Sequence, residues 1–363
     1  MTTTSEAMSK LRGLLSQAPS WDVWHKLVAL LDKWPVQESR ELAEAYAREH
    51  LESGWPSHWR VGSHRWTKDS IGWKLVGAES QEIRTLPEGR EVWCPPGTYR
   101  MGATEKEHVN LSETPQTKMT LTRPFWCMTT LVTRQMWSLL MGDMPAEMTL
   151  EGFEQHPVGN LNWFHAVAFC NALSRAEGLE EAYEISSEVG GPSSSGYQAQ
   201  VQWKGPDNKG YRLLTDAEWE WACRAGSTRI RFGRLKTIAW FMDNSASTIQ
   251  PVATKNANAW GLYDMLGNCW EWVYDRWDTH LPGGEHVDWV RDNPLQRDGY
   301  KAPEEELDYF DEDDWDIEDD EQSRVNRGGN FLAEKDYLRN CTRDRDPITN
   351  SFESLGFRCG RTA

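Results

Sequence analysis

The residues of this chain whose chemistry could go beyond packing are seven cysteines, nine histidines and one dense run of carboxylates. The cysteines are Cys94, Cys127, Cys170, Cys223, Cys269, Cys341 and Cys359. Their number is odd and none form a C-x-x-C pair, which excludes a zinc ribbon or a thioredoxin-type dithiol at the level of motif. The N-terminus, Met1-Thr2-Thr3-Thr4-Ser5-Glu6, has neither a basic stretch nor an apolar one. A cytoplasmic location with reduced thiols is therefore expected, several of them as core residues. His58 and His64 stand six apart, as do His280 and His286. Neither spacing stacks two imidazoles on one helix turn, so these side chains read as ordinary surface or core residues.

The carboxylates are concentrated at 304–321, where 13 Asp/Glu occur without a single Lys or Arg. This segment accounts for most of the net charge of −17, and the rest of the chain is nearly neutral. No basic stripe offers phosphate neutralisation, so direct nucleic-acid binding is not expected. Aromatic and aliphatic residues interleave with the acids. Tyr309, Phe310, Asp313, Asp314 and Trp315 are the candidate contacts of an insert that would steer and anchor a basic partner. The alternative is a flexible, solubilising insert.

With 39% hydrophobic residues, 21 Trp and no apolar run near 20 residues, the chain fits a packed globular protein without a membrane helix. Trp24, Leu27, Val28 and Leu31 follow helical spacing, and Met8, Leu11, Leu15 and then Leu42, Ala45, Tyr46 suggest two more helices. These predict a small helical module at 1–60, followed by a Trp-rich connecting segment at 61–91 with strand character. From Val92 the texture changes, and residues 92–102 read as strand, turn, strand. Thr133, Asn162 and Thr215 are placed to cap helices; Thr215-Asp216-Ala217-Glu218 is a capping box. Residues 186–196, rich in Gly, Ser and Pro, predict a loop. Beyond about 225 the pattern predicts irregular, loop-heavy structure in which Trp270, Trp272 and Trp277 supply the core.

Four motifs occur in order along the chain. They are His156-Pro157-Val158 with Asn162-Trp163-Phe164-His165-Ala166; Arg212-Leu213-Leu214-Thr215-Asp216-Ala217-Glu218-Trp219-Glu220; Gly261-Leu262-Tyr263-Asp264 leading to Gly267-Asn268-Cys269-Trp270-Glu271-Trp272; and Arg327-Gly328-Gly329 with Gly356-Phe357-Arg358-Cys359. Together they resemble the formylglycine-generating enzyme (sulfatase-modifying factor) family over about 92–361. The resemblance implies an α+β fold, an elaborated C-type-lectin-like domain with little regular secondary structure. That domain is expected at 92–363, interrupted by the acidic insertion.

The enzymes of this family hold copper(I) on a C-x4-C pair after the Arg-Gly-Gly motif, a soft-donor site. Here Ala333 and Leu338 stand at those positions, and Cys341 falls in another register. The iron-binding H-x3-H-x-E motif of related sulfoxide synthases does not occur. The resemblance therefore points to the family's non-catalytic branch, with no catalytic residue assigned and no cofactor required. The expected function is recognition of a macromolecular partner, a protein, through Asn330, Glu334, Asp336, Tyr337, Arg339, Thr342, Asp344 and Asp346. Two other readings stay open. One is a metal-dependent oxidase or oxygenase with a non-standard site; the other is a variable ligand-binding protein of a diversity-generating retroelement. The family also implies structural calcium, with Asn268, Glu271 and Asn244 as the matching oxygen ligands.

Overall fold

The computed structural model describes residues 58–61, 64–69, 72–76, 91–104, 110–142, 150–192, 194–291 and 323–363. The helical module expected before His58 and the acidic insert with Tyr309, Phe310, Asp313, Asp314 and Trp315 lie outside these residues. Strands β1 (His58–Val61), β2 (His64–Asp69) and β3 (Gly72–Val76) form an antiparallel meander, so strand structure begins three residues inside the stretch assigned to helices.

Two four-stranded sheets organise the remainder. One joins β4 (Glu91–Cys94), β7 (Phe125–Met128), β10 (Arg212–Leu213) and the C-terminal β16 (Cys359–Thr362), in the order β10-β16-β7-β4. The other joins β11 (Trp270–Arg276), β13 (Ser323–Arg327), β14 (Arg343–Pro347) and β15 (Leu355–Phe357), in the order β14-β13-β11-β15. In it β15 runs parallel to β11. A smaller sheet pairs β5 (Gly97–Met101) with β6 (Thr117–Leu121) and β12 (Glu285–Val287), and β8 (Tyr183–Val189) with β9 (Gln198–Trp203) make a hairpin. Residues 92–102 are strand, turn, strand as expected, but β4 and β5 enter different sheets. Residues 186–189, read as loop, instead continue β8 across from Gln198 and its neighbours. The cross-strand ladder outweighs a serine-rich composition there.

Three helices begin where the caps place them. They are α1 (Arg134–Met141), α2 (Trp163–Ala176) and α3 (Asp216–Arg224), with Thr133, Asn162 and Thr215 each accepting from the third residue's backbone N–H. In α2 the third residue is His165, whose Nδ1 accepts from the Asn162 N–H while Nε2 meets the Ser194 carbonyl at 2.9 Å. Burial holds this imidazole near pKa 4, hence neutral and able to accept. Residues 163–174 are all buried, so α2 is a core helix. It packs Trp163, Phe169 and Leu173 against Trp272, Phe357 and Cys359 of the sheets. Between α3 and β11 the chain is irregular apart from the short α4 (Leu235–Ile238), and Trp219, Trp260, Met265 and Leu266 fill the second core. All seven cysteines are buried. Among the described residues no helix is long and apolar enough to cross a membrane.

Candidate recognition surface

Helix α3 carries the charges that set the position of the chain after β13. Arg327 is fully buried. Its Nε donates to Asp216 Oδ1 at 2.5 Å and its Nη2 to Glu220 Oε2 at 2.7 Å. Its Nη1 donates to the carbonyls of Asn340 and Thr342 at 3.2 and 2.8 Å. Arg343 on β14 donates to the second Asp216 oxygen at 2.8 Å, and Arg224 donates to the other Glu220 oxygen at 2.9 Å. Burial would raise the Asp216 carboxyl, but the two guanidinium groups outweigh it and hold the group below its ordinary range.

This lattice fixes both ends of the segment 328–343, and arginines pin its middle. Arg231 donates from Nε to the Leu338 carbonyl and from Nη2 to the Lys335 carbonyl, both at 2.6 Å. Arg339 donates from Nε to the Asp336 carbonyl at 2.6 Å and grips Glu113 with two bonds of 2.5 and 2.6 Å. Burial raises the Glu113 carboxyl even against this pair. Leu338 is buried and Ala333 half-buried in one cluster. A β-carbon added at Gly329 would lie 2.5 Å from Leu338 Cδ2 and 3.7 Å from Ala333 Cβ, so both side chains close on the same backbone. The thiol of Cys341 is buried, which pushes its pKa to about 12, with Glu220 and Glu113 adding to the rise. It is not a ready nucleophile or soft-metal ligand at neutral pH.

The residues nominated for recognition divide into two groups. Glu334, Asp336 and Asp344 are exposed, Tyr337 is 49% exposed, and Asn330 and Asp346 are half-buried. Arg339 and Thr342, at 5% and 1% exposure, are not surface residues; they face inward because Glu113 and the core claim that side of the chain. Sequence reasoning also missed two contributors. Leu332 is 47% exposed, and Met242 is 49% exposed with its N–H on the Ala333 carbonyl at 3.2 Å. Tyr337 on the same segment completes a trio of exposed apolar side chains, and Asn330, Glu334 and Asp336 belong to that segment too. Leu332 lay inside the segment already singled out and was identifiable there, whereas nothing in the sequence links Met242 to a loop ninety residues away.

The residues nominated for calcium have other partners. Glu271 is bound through both oxygens by Arg358 at 2.7 Å each, and Trp219 Nε1 donates to it at 2.9 Å. A guanidinium therefore occupies the place in front of that carboxylate. Asn268 accepts from Gln250 N and donates to Gln250 O, and Asn244 accepts from Phe241 N and donates to Ala239 O. Both amides hydrogen-bond backbone groups of their own loops.

Asp264 in the same region is 1% exposed, accepts from the Ala253 N–H at 2.7 Å, and leaves Oδ1 without a partner. Burial pushes its pKa from 3.8 to about 6. The folded state thus holds the proton more tightly than the unfolded chain. The stability this contributes is complete below about pH 4 and is lost as pH rises through 6. Its φ of 53° suits asparagine. Asp264→Asn is therefore expected to stabilise the domain at pH 8 by roughly 1–3 kcal/mol, and to have little effect at pH 4.5. Urea titrations at the two pH values measure this; an equal effect at both would refute it.

Residues 77–363 match the family model described as Sulfatase-modifying factor enzyme 1-like domain. Among curated proteins, chaperone protein LppX of Paenibacillus barcinonensis is 31% identical over 176 residues, 41% of this chain and 61% of that protein. The formylglycine-generating enzyme of Bos taurus is 26% identical over 225 residues, 56% of this chain and 43% of that protein. The chain thus spans less than two thirds of the length of these relatives. Among solved structures, Treponema denticola variable protein 1 matches with a TM-score of 0.61 at 24% identity, covering 78% of this chain and 98% of that one. PvdO from Pseudomonas aeruginosa matches with a TM-score of 0.53 at 20% identity, covering 75% and 94%. At these identities the structural matches carry the fold.

Proposed function

Because this chain belongs to the sulfatase-modifying factor enzyme 1-like family and sets Ala333 and Leu338 where the enzymes it resembles carry their thiols, we propose that it is a non-catalytic binding module for a protein partner. A methyl and an isobutyl group have no donor for a soft metal. These residues do not fit copper. The observation that carries the reading is the trio Met242, Leu332 and Tyr337. Three large apolar side chains stand about half exposed: Leu332 and Tyr337 on the segment whose carbonyls at Lys335, Asp336 and Leu338 are held by Arg231 and Arg339, and Met242 on a loop that donates its N–H to the Ala333 carbonyl of that segment. Apolar groups held rigidly outward bind with little ordering cost, and an acidic, hydrogen-bonding rim gives them specificity. The relative named a chaperone is in keeping with protein binding, and the variable protein with a surface that accepts changing ligands.

The reading is tested with the full chain in two assays. Incubated with copper(I), oxygen and a cysteine-bearing peptide, it is expected to form no peptide aldehyde; stoichiometric copper uptake with aldehyde formation would replace the proposal by an enzymatic one. Partners cross-linked to the wild-type chain in its native host are expected to be absent with L332D/Y337A. An unchanged set would move recognition elsewhere.

A further inference from the structure

Ala168, Asn171 and Arg175, spaced i, i+3 and i+7 on one stripe of α2, meet the β8–β9 hairpin across a cavity of about 220 Å³. Met141 at the end of α1 and Ile185 on β8 supply apolar walls. The volume is below the roughly 300 Å³ at which pockets for drug-sized ligands begin, so its occupant is small. Neither the apolar trio nor the cluster around Arg327 lines it.

The hairpin brings one carboxylate into this wall. Ser186 lies opposite Gln200 and Val189 opposite Gln198, so β8 carries one residue more than β9 between them. Ser187 takes up the extra residue with a φ of 52°. In a regular strand Glu188 would leave on the face opposite to Ile185. The bulge returns it to the face of Ile185, and both line the cavity. Tyr197, 1% exposed, donates from its hydroxyl to Glu188 Oε2 at 2.8 Å. Burial first, and then Glu188, raise this hydroxyl above its ordinary range, so it remains a donor. Tyr197 is itself fixed: its carbonyl accepts from Asn162 Nδ2 at 2.7 Å, and its ring stands edge-on to His165 with centroids 5.4 Å apart. Asn171 clasps β8 to α2 by accepting from the Tyr183 N–H at 3.1 Å and donating to the Tyr183 carbonyl at 2.9 Å.

The charges of the wall do not cancel. Arg175 pairs with Glu181, which Asn171 Nδ2 also approaches at 3.5 Å. Among the described residues no ion pair reaches Glu188, and its partner is the Tyr197 hydroxyl. Arg175, Glu181 and Glu188 therefore leave one negative charge, and it lies on Glu188. A cation is the group this wall attracts, whereas an anion meets Glu188 while Arg175 is engaged elsewhere. A metal ion would find a single uncompensated carboxylate, too few ligands to hold it.

We propose that the cavity between α2 and the β8–β9 hairpin binds a primary ammonium group on a short aliphatic stem, with Glu188 as its counter-ion. The stem lies against Met141, Ala168 and Ile185. A free aliphatic amine and a lysine side chain share this chemistry. The site uses other elements than the apolar trio and stands whether or not that trio binds a protein.

The experiment titrates n-butylammonium into the full chain and follows backbone amide shifts by NMR. Saturable binding is expected with a dissociation constant on the order of 1 mM, with the shifts centred on Ala168, Asn171, Ile185, Glu188 and Tyr197. n-Butanol, which has the same stem without the charge, is expected to bind at least about tenfold more weakly, the worth of a charge-assisted hydrogen bond. E188Q is expected to lose affinity by the same factor with its melting temperature unchanged, because Glu188 is exposed and the amide oxygen can still accept from Tyr197. A168L, which fills the cavity beside α2, is the second variant and is expected to exclude the amine. A capped Gly-Lys-Gly peptide separates the two sources: binding as tight as the amine assigns the site to a protein lysine, and exclusion assigns it to a free amine. No saturable binding up to about 50 mM amine, far above the expected constant, overturns the proposal. So do shifts confined to the acidic run 304–321, equal binding of butanol, or unchanged affinity in either folded variant.

Discussion

Arg327→Met is expected to destabilise the domain by roughly 3–5 kcal/mol, the range found when one partner of a buried charge cluster is removed. The guanidinium meets two carboxylates and two carbonyls without contact with water. Methionine fills the volume but leaves Glu220 with only Arg224 and Gly102 N, and Asp216 with only Arg343. Arg327→Lys is expected to rescue little, because one ammonium cannot span both carboxylates and both carbonyls in the fork geometry. Urea unfolding followed by tryptophan fluorescence reads the effect. A loss below about 1 kcal/mol, the scale of a surface pair, would show that the cluster is not the clamp between α3, β13 and β14 described above. Because the same cluster sets both ends of 328–343, partner binding should fail together with stability.

The opposite separation is expected at Tyr337. Tyr337→Ala should reduce affinity for the cross-linked partner about thirtyfold, the loss typical of an aromatic anchor. Adding Leu332→Asp should abolish measurable binding. Stability should shift by no more than about 0.5 kcal/mol, as both side chains are near half exposure and away from the buried network. The measurement is titration of the purified partner against wild type and both variants, with thermal melts alongside. Retained affinity in the double variant would remove the trio from the interface. A binding loss accompanied by unfolding would mean that these side chains hold the loop and do not recognise anything.

The two sets of variants differ for a physical reason. Arg327 and Arg358 lie in the core with every guanidinium nitrogen on a carboxylate or a backbone carbonyl, so the fold depends on them. Tyr337 and Leu332 stand near half exposure on a segment whose carbonyls are tied by Arg231 and Arg339, and Met242 is joined to it through the Ala333 carbonyl. Rigid support under an exposed apolar cluster is what a recognition surface requires.

By itself the sequence determined what depends on neighbours along the chain. The caps at Thr133, Asn162 and Thr215, the buried course of α2 and the irregular stretch after α3 all follow from residues within a few positions of one another. The ordered motifs likewise identified the family and its fold, because each supplies a turn, a cap or a buried charge that the fold reuses. Tertiary structure alone decided where those charges end. Arg339 and Thr342 read as surface residues because their sequence neighbours are polar, but Glu113, more than two hundred positions away, draws Arg339 inward. Glu271 reads as a ligand until Arg358 closes on both its oxygens. Met242 joins Leu332 only through a backbone bond across ninety residues. These ion pairs and exposures are settled by contacts between distant segments, which the spacing of neighbours along the chain does not encode.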